Sequence, residues 1–355
     1  MASIPGDLMM RWMYGLSWAC LLSLSAVCFA GEADGRLDIY FIDVEGGAAT
    51  LIVSPVGESL LIDSGYPDNG GRDLNRILDV VKEEAGLTKL DHVAVSHWHL
   101  DHYGNHASLA GNIPIGTFWD RGIPDMLAED KDFAERIAKY KAACNNQSKA
   151  LKVGDTFDFD SPKTPLTIQV VTGSREVIAN TGEPNPFASE HKPQPDDPSD
   201  NSASLSTVMR FGKFEFLCCG DLTWNTEAKL MMPNNPLGQI DLYMVTHHGL
   251  NVSNNPVLVK AIDPVVSVCC NGPTKGGAKE TIDTLKACPS LKAMYQLHRN
   301  VNLKDEEQTP KELIANTEPT VNCAGQWIKA SVAPDGASFT VQIGPDGEAK
   351  TYQCR

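Results

Sequence analysis

Positive charge is scarce in this chain. Thirty lysines and arginines stand against 45 aspartates and glutamates, leaving a formal net charge of −15 at pH 7. Such a surface repels polyanions at long range, so nucleic acid is disfavoured as a partner unless a local basic patch overrides the field. Cysteine is present in a pattern that excludes two readings. No Cys-x-x-Cys occurs in the sequence, so neither a zinc ribbon nor a thioredoxin-type redox centre has support. No internal repeat is apparent.

The N-terminus carries one feature of its own. After Arg11, Trp12 to Ala30 is apolar and uncharged, and Cys28-Phe29-Ala30 before Gly31 sets small residues at both recognition positions for cleavage. This predicts an export signal over residues 1–30. An uncleaved anchor is the alternative, since 19 residues just span a bilayer, but the small-residue ending favours cleavage. Removing 30 of 355 residues leaves 325, enough for one large domain with a sizeable core. The signal holds one Arg and one Asp, so the mature charge stays at −15. The expected location is periplasmic or extracellular, with no stable membrane partner after cleavage. Residues 31–355 read as a single domain, those from about 305 being a candidate extension.

Eight cysteines would remain: Cys144, Cys218, Cys219, Cys269, Cys270, Cys288, Cys323 and Cys354. An even number in an exported chain suggests disulfides. Cys218-Cys219 and Cys269-Cys270 are neighbours in apolar strands and should point to opposite sheet faces. Cys323 and Cys354 flank the last hairpin and are the expected bridge.

Strands and helices alternate along the chain. Leu37–Asp43, Ala49–Ser54 and Ser59–Asp63 read as a meander. Apolar spacing at Leu74, Ile77, Leu78 and Val81 predicts a helix over Arg72–Glu84, closed by Gly86. Leu90–Val95 and Ile113–Trp119 follow as strands. Met126–Ala143 reads as a helix with Phe133, Ile137 and Tyr140 in the core. Thr181–Ser202 carries five prolines and is expected as a long loop near the site mouth. Ser204–Phe211 with Lys213–Cys219 is a hairpin. Helices at Thr223–Met232, Asn255–Ile262 and Thr281–Ala287 then alternate with strands at Ile240–Thr246, Val265–Cys270 and Ala293–Leu297. Gln326–Ala333 with Ser338–Ile343 forms a last hairpin around Asp335-Gly336.

The densest chemistry is Ser96-His97-Trp98-His99-Leu100-Asp101-His102-Tyr103-Gly104-Asn105. Three imidazoles and a carboxylate fall within six residues at the end of a buried strand. In an extended arrangement His97, His99 and Asp101 point one way, and His102 comes from the turn that follows. The set suits two adjacent metals, two imidazoles for one ion and a carboxylate with an imidazole for the other.

His-x-His-x-Asp-His resembles the signature of the metallo-β-lactamase superfamily. Phe41-Ile42-Asp43-Val44-Glu45-Gly46-Gly47 resembles the opening of the branch that holds the ComEC domain and the phosphorylcholine esterases. Leu60-Leu61-Ile62-Asp63-Ser64-Gly65, Leu217-Cys218-Cys219-Gly220-Asp221 and Val245-Thr246-His247-His248-Gly249 follow in the matching order. The resemblance implies an αββα four-layer sandwich, α/β (α+β) in class. It implies His97 and His99 on a first metal, Asp101 and His102 on a second, and Asp221 bridging. One of His247 and His248 completes the second metal; alignment on Gly249 favours His248. Asp63 supports the ligands. Asn201 stands where many members supply another histidine, and His191 is the candidate substitute. Apart from the resemblance, Tyr103 and His298 are candidate donors to a developing oxyanion, with a structural role the favoured reading of each.

The implied cofactor is two Zn2+ ions, with Mn2+ or Fe as alternatives. The implied nucleophile is a metal-activated water, with Asp101 orienting it and moving its proton. The leading expectation is an exported hydrolase acting on a small-molecule phosphodiester or related ester. A β-lactam or lactone hydrolase, a nuclease and an exported non-catalytic metal-binding module are the alternatives.

Overall fold

The computed structural model describes residues 34–67, 69–318 and 323–355. The expected export signal at residues 1–30 lies outside the described residues. Among the described residues no helix is long and apolar enough to cross a membrane.

Two nine-stranded sheets face one another. Alternation along each strand decides which residues meet between them. Leu37, Ile39 and Phe41 point inward from the first strand, toward Ile168, Met209, Phe214, Phe216 and Val268 of the second sheet. Phe41 meets Phe216 edge-on across the gap, centroids 5.9 Å apart. The intervening residues of the first sheet, Tyr40, Leu51, Val53 and Val93, pack outward with Ile77, Phe133, Ile137 and Tyr140. On the far side Val208, Leu217 and Tyr243 lie with Leu230, Leu258 and Ile282 of the outer helices. The layers are therefore helix, sheet, sheet, helix, the αββα sandwich expected.

The helix predicted over Arg72–Glu84 is α-helical at Arg72–Asp79 and closes on a π-helical turn, Val80–Glu84. The helix expected from Met126 begins at Phe133. Ile314–Asn316 extends the second sheet in parallel. Ile328–Val332 pairs with Leu37–Phe41, and Ser338–Ile343 and Lys350–Gln353 complete that edge of the first sheet. The last of these strands and Thr156–Phe159, paired to Leu166–Gly173, have short alternations that the sequence reading passed over.

Cys218 and Cys270 face the space between sheets, while Cys219 and Cys269 face the outer helices, as the pleat requires. The expected Cys323–Cys354 bridge is not formed; all eight described cysteines are free. Cys323 instead contacts Arg76, while Cys354 packs against the inter-sheet core.

Sheet register positions the site. Ser59–Ile62, Leu90–Ala94 and Ile115–Asp120 run parallel. Phe214–Cys218, Leu242–Met244, Val266–Cys269 and Ala293–His298 run parallel in the other sheet. Parallel neighbours end at the same edge, so the segments leaving them collect there, the usual place for a site in such sheets.

Candidate metal centre

From the first sheet, Ile62 leads to Asp63, and Ala94 leads through Val95 to the histidine-rich segment. Ser96–Trp98 bends, and a short helix starts at Leu100 with His99 as its N-cap. Asp101 and His102 are thus both helical, which corrects the extended arrangement expected for Asp101. Trp98 anchors the segment: it is fully buried against Tyr103 and Tyr140. From the second sheet, Cys218 leads to Asp221 and Met244 leads to His247 and His248.

These groups converge. The Oδ2 atom of Asp221 lies 3.3 Å from His102 Nε2, 3.4 Å from His247 Nε2, 3.4 Å from His248 Nε2 and 3.9 Å from His97 Nε2. His99 faces His97, Nδ1 to Nε2 at 3.1 Å. Asp101, His102, Asp221 and His248 offer ligand atoms within 4.8 Å of one another. His248, rather than His247, belongs to that tighter set; His247 faces Asn201, 3.4 Å away.

Each ring's outward nitrogen has its own partner. His102 Nδ1 meets Asp63 Oδ2 at 2.7 Å, His97 Nδ1 meets Ser96 Oγ at 3.1 Å, and His99 Nε2 meets Glu129 Oε1 at 3.3 Å. His247 Nδ1 meets Ser253 Oγ at 3.0 Å, and His248 Nδ1 meets the Cys270 carbonyl at 3.2 Å. Such partners fix tautomer and ring orientation and leave the inward nitrogen lone pair for a metal. The donor set, imidazole nitrogens around carboxylate oxygens without thiolate, fits divalent zinc, manganese or iron.

The charges are coupled. Burial alone would raise the Asp221 carboxyl, but His102, His247 and His248 outweigh it and hold it well below the usual carboxylate range. Burial also opposes charge on His102, yet Asp221, Asp63 and Asp101 push that ring well up. Burial and the neighbouring His102 push His97 down.

Strained backbone aims the ligands. His247 (φ 55°) and His248 (φ 53°) are left-handed, a conformation costing about 1–3 kcal/mol for such residues. Asn254 holds them there: its Nδ2 donates to the carbonyls of Thr246 and Leu250, and its Oδ1 accepts from the Tyr243 hydroxyl. Glu227, fully buried, accepts the backbone N–H groups of Asn254 and Asn255; burial pushes its carboxyl up to about 8.

The remaining expected residues lie elsewhere. His191 pairs with Asn255 through Nδ1. His298 Nε2 donates to Asp43 Oδ1 at 2.7 Å, inside a second cluster of Asp43, Glu45, His298 and Cys323. Arg76 and Arg72 reach into that cluster and pair its carboxylates. The Tyr103 hydroxyl is buried without a partner. Asn201 is at the centre's edge, its Oδ1 buried and unpartnered.

Three contributors were missed from sequence. Glu129 supports His99 and also accepts the Asp200 N–H at 2.7 Å. Asp200 accepts the Trp98 N–H at 2.6 Å and pairs with Arg121. Neither has a local signal. Lys275 places Nζ 2.5 Å from Asp101 Oδ2; its setting, a strand end followed by Gly276-Gly277, was the available clue. The proline-rich loop does reach the centre: Gln194, Pro195 and Ser199 line a cavity of about 310 Å³ with Asn201, Trp224 and His247.

Residues 42–196 match the family model described as the metallo-beta-lactamase superfamily. Over those residues the chain is similar to that superfamily. The fold is of the metal-dependent-hydrolase type, and the chain carries a histidine-carboxylate cluster that could hold a metal ion. No protein of curated function matches the chain. Among solved structures, a Parabacteroides distasonis protein provisionally named a metal-dependent hydrolase is 17% identical at a TM-score of 0.38, covering 73% of this chain and 93% of its own. CmlA, a diiron β-hydroxylase from Streptomyces venezuelae, is 14% identical at a TM-score of 0.37, over 66% of this chain and 44% of that one. An archaeal superfamily member from Sulfolobus tokodaii is 14% identical at 0.27, over 53% and 63%. The chain thus spans less than half the length of CmlA.

Proposed function

We propose that this protein is an exported, binuclear metal-dependent hydrolase of a small phosphodiester or related ester. The observation that carries the reading is the convergence of four imidazoles, His97, His102, His247 and His248, on Asp221 Oδ2, with His99 set against His97 and Asp101 against His102 and His248, each ring held from behind by its own partner. His97 and His99 would hold one ion, Asp101, His102 and His248 the other, and Asp221 would reach both. Zinc is the first expectation, with manganese or iron as alternatives. Bound divalent metal supplies a Lewis acid and an activated water.

The chain's own groups supply the rest. Asp101, ionised because the imidazoles outweigh its burial, is an acceptor for the O–H of the attacking water. His102 and His248 are kept in place by Asp63 and the Cys270 carbonyl. Asp101 and His247 retain slight exposure, and the cavity beside His247, with Trp224 and Val252 in its wall, has the size and mixed lining of a small-molecule site. A centre open on one side suits catalysis better than a closed structural site does. Export rests on the N-terminal signal pattern, and the phosphodiester on the branch resemblance and the His-His-Gly motif. A small substrate also fits the acidic surface, which works against nucleic acid.

Elemental analysis of the purified chain beside Asp221→Ala tests the centre. About two equivalents of metal, falling sharply in the variant, are expected. Bis(p-nitrophenyl) phosphate turnover that disappears with chelator tests the reaction. Full metal loading with no turnover of that diester, of p-nitrophenyl acetate or of nitrocefin would sink the hydrolase reading.

A further inference from the structure

Lys275 lies at this centre and has no part in the ligand set. It sits in the turn Asn271–Gly277, which leaves the Val266–Cys269 strand at the site edge. The turn is tightly clamped. Gly272 N–H donates to the Lys275 carbonyl at 2.9 Å, Gly277 N–H to the His248 carbonyl at 2.8 Å, and Asn300 Nδ2 to the Gly276 carbonyl at 2.7 Å. A Cβ at Gly276 would fall 2.0 Å from the His248 carbonyl, and one at Gly272 would fall 2.6 Å from the Glu45 carbonyl. Only glycine lets the turn come so close, and the result is a lysine delivered from a fixed backbone.

The ammonium is 2.5 Å from Asp101 Oδ2 and 5.8 Å from the Tyr66 ring centre. The side chain is 34% exposed, so one face of it looks out of the site. Three arginines of the surrounding elements are already engaged. Arg72 pairs with Glu45 and Asp73, Arg76 with Asp43 and Glu45, and Arg121 with Asp200. Asp101 is also 3.5 Å from His248 and 3.6 Å from His102. With Asp101 and those rings holding a metal, the Asp101 charge would be shared, and the Lys275 ammonium would have N–H donors to offer a second anion.

Resting on the hydrolase reading above, we propose that Lys275 is the substrate-recognition cation of this site and that it binds the non-bridging oxyanion of a phosphodiester. An ammonium at the mouth of an otherwise acidic protein selects a small anion while the surface field rejects large polyanions. The lysine is a point charge with rotatable donors, so its contribution should pass largely to arginine.

The test uses the zinc-loaded full chain, with Lys275→Met and Lys275→Arg. Each is assayed on anionic bis(p-nitrophenyl) phosphate and on neutral p-nitrophenyl acetate. For Lys275→Met the KM for the diester should rise about 10- to 100-fold, the scale of one charge-assisted hydrogen bond. Turnover of the neutral ester should stay within about threefold and zinc content should stay at the wild-type value, while Lys275→Arg recovers most of the diester KM. Equal loss on both esters, loss of zinc, or an unchanged diester KM would each overturn the proposal. If the wild-type chain turns over neither ester, the hydrolase reading fails separately, and calorimetric binding of inorganic phosphate decides the lysine. Weaker phosphate binding by Lys275→Met supports it, and equal binding overturns it.

Discussion

Replacing Asp63 with asparagine removes one acceptor and changes little else. The residue is buried and left-handed (φ 62°), a conformation asparagine also tolerates, so backbone strain stays out of the comparison. Asp63 Oδ1 accepts the Ser96 N–H at 2.8 Å, and Oδ2 accepts the Ser96 hydroxyl and the His102 Nδ1–H, each at 2.7 Å. The Ser96 amide can only donate, so the asparagine carbonyl must stay beside it and the NH2 must take the place of Oδ2. The serine hydroxyl can rotate to accept. His102 cannot adapt so cheaply: its Nδ1 must become the acceptor, and its ring proton moves to Nε2. That is the atom facing Asp221 and His248, and once protonated it cannot ligate. Loss of such a supporting carboxylate weakens metal affinity by about 10- to 100-fold, or about 1.4–2.7 kcal/mol. A charge-assisted hydrogen bond is independently put at about 1.5–3 kcal/mol, so the two estimates agree. Zinc affinity is measured by competition with a chromophoric chelator, with circular dichroism to confirm the fold. A folded Asp63→Asn protein that binds zinc within about twofold of wild type would refute the tautomer argument.

Other perturbations follow from the same structure. Glu227 has a folded pKa of about 8 against an ordinary 4.5, so the folded state holds the proton longer; stability is full below pH 4.5 and is lost as pH rises toward 8, by at most about 5 kcal/mol. Melting temperature against pH should therefore fall more steeply for wild type than for Glu227→Gln, and parallel curves would count against a buried, protonated Glu227. Phe216→Ala empties the contact with Phe41 between the sheets and should cost about 3–5 kcal/mol in urea unfolding; a loss below about 1 kcal/mol would mean the core collapses around the cavity. Asn201→His puts an imidazole beside His247 and should tighten the weaker of two zinc-binding steps about tenfold, or about 1.4 kcal/mol; an unchanged second step in the chelator titration would argue that residue 201 does not face that ion.

The sequence by itself determined the layers and most of the ligand candidates, because both are local. Period-two alternation in Leu37–Phe41 sends Phe41 inward and Tyr40 outward whatever else the chain does. His97, His99, Asp101 and His102 are within six residues, so any fold that ends a strand at Ala94 keeps them together. The opposite directions of the neighbouring thiols at Cys218 and Cys219 follow from the same pleat. Tertiary structure decided what depends on separate segments meeting. Glu129 reaches His99, and Lys275 reaches Asp101 across 174 residues, only because parallel strands of two sheets end at one edge. His298 leaves a strand at that same edge but is claimed by Asp43, and His191 by Asn255. Cys323 stays apart from Cys354 because it contacts Arg76 while Cys354 packs on the sheet core. Spacing can nominate such groups, but a side chain's partner is fixed by distance and burial, and those exist only after the strands have paired.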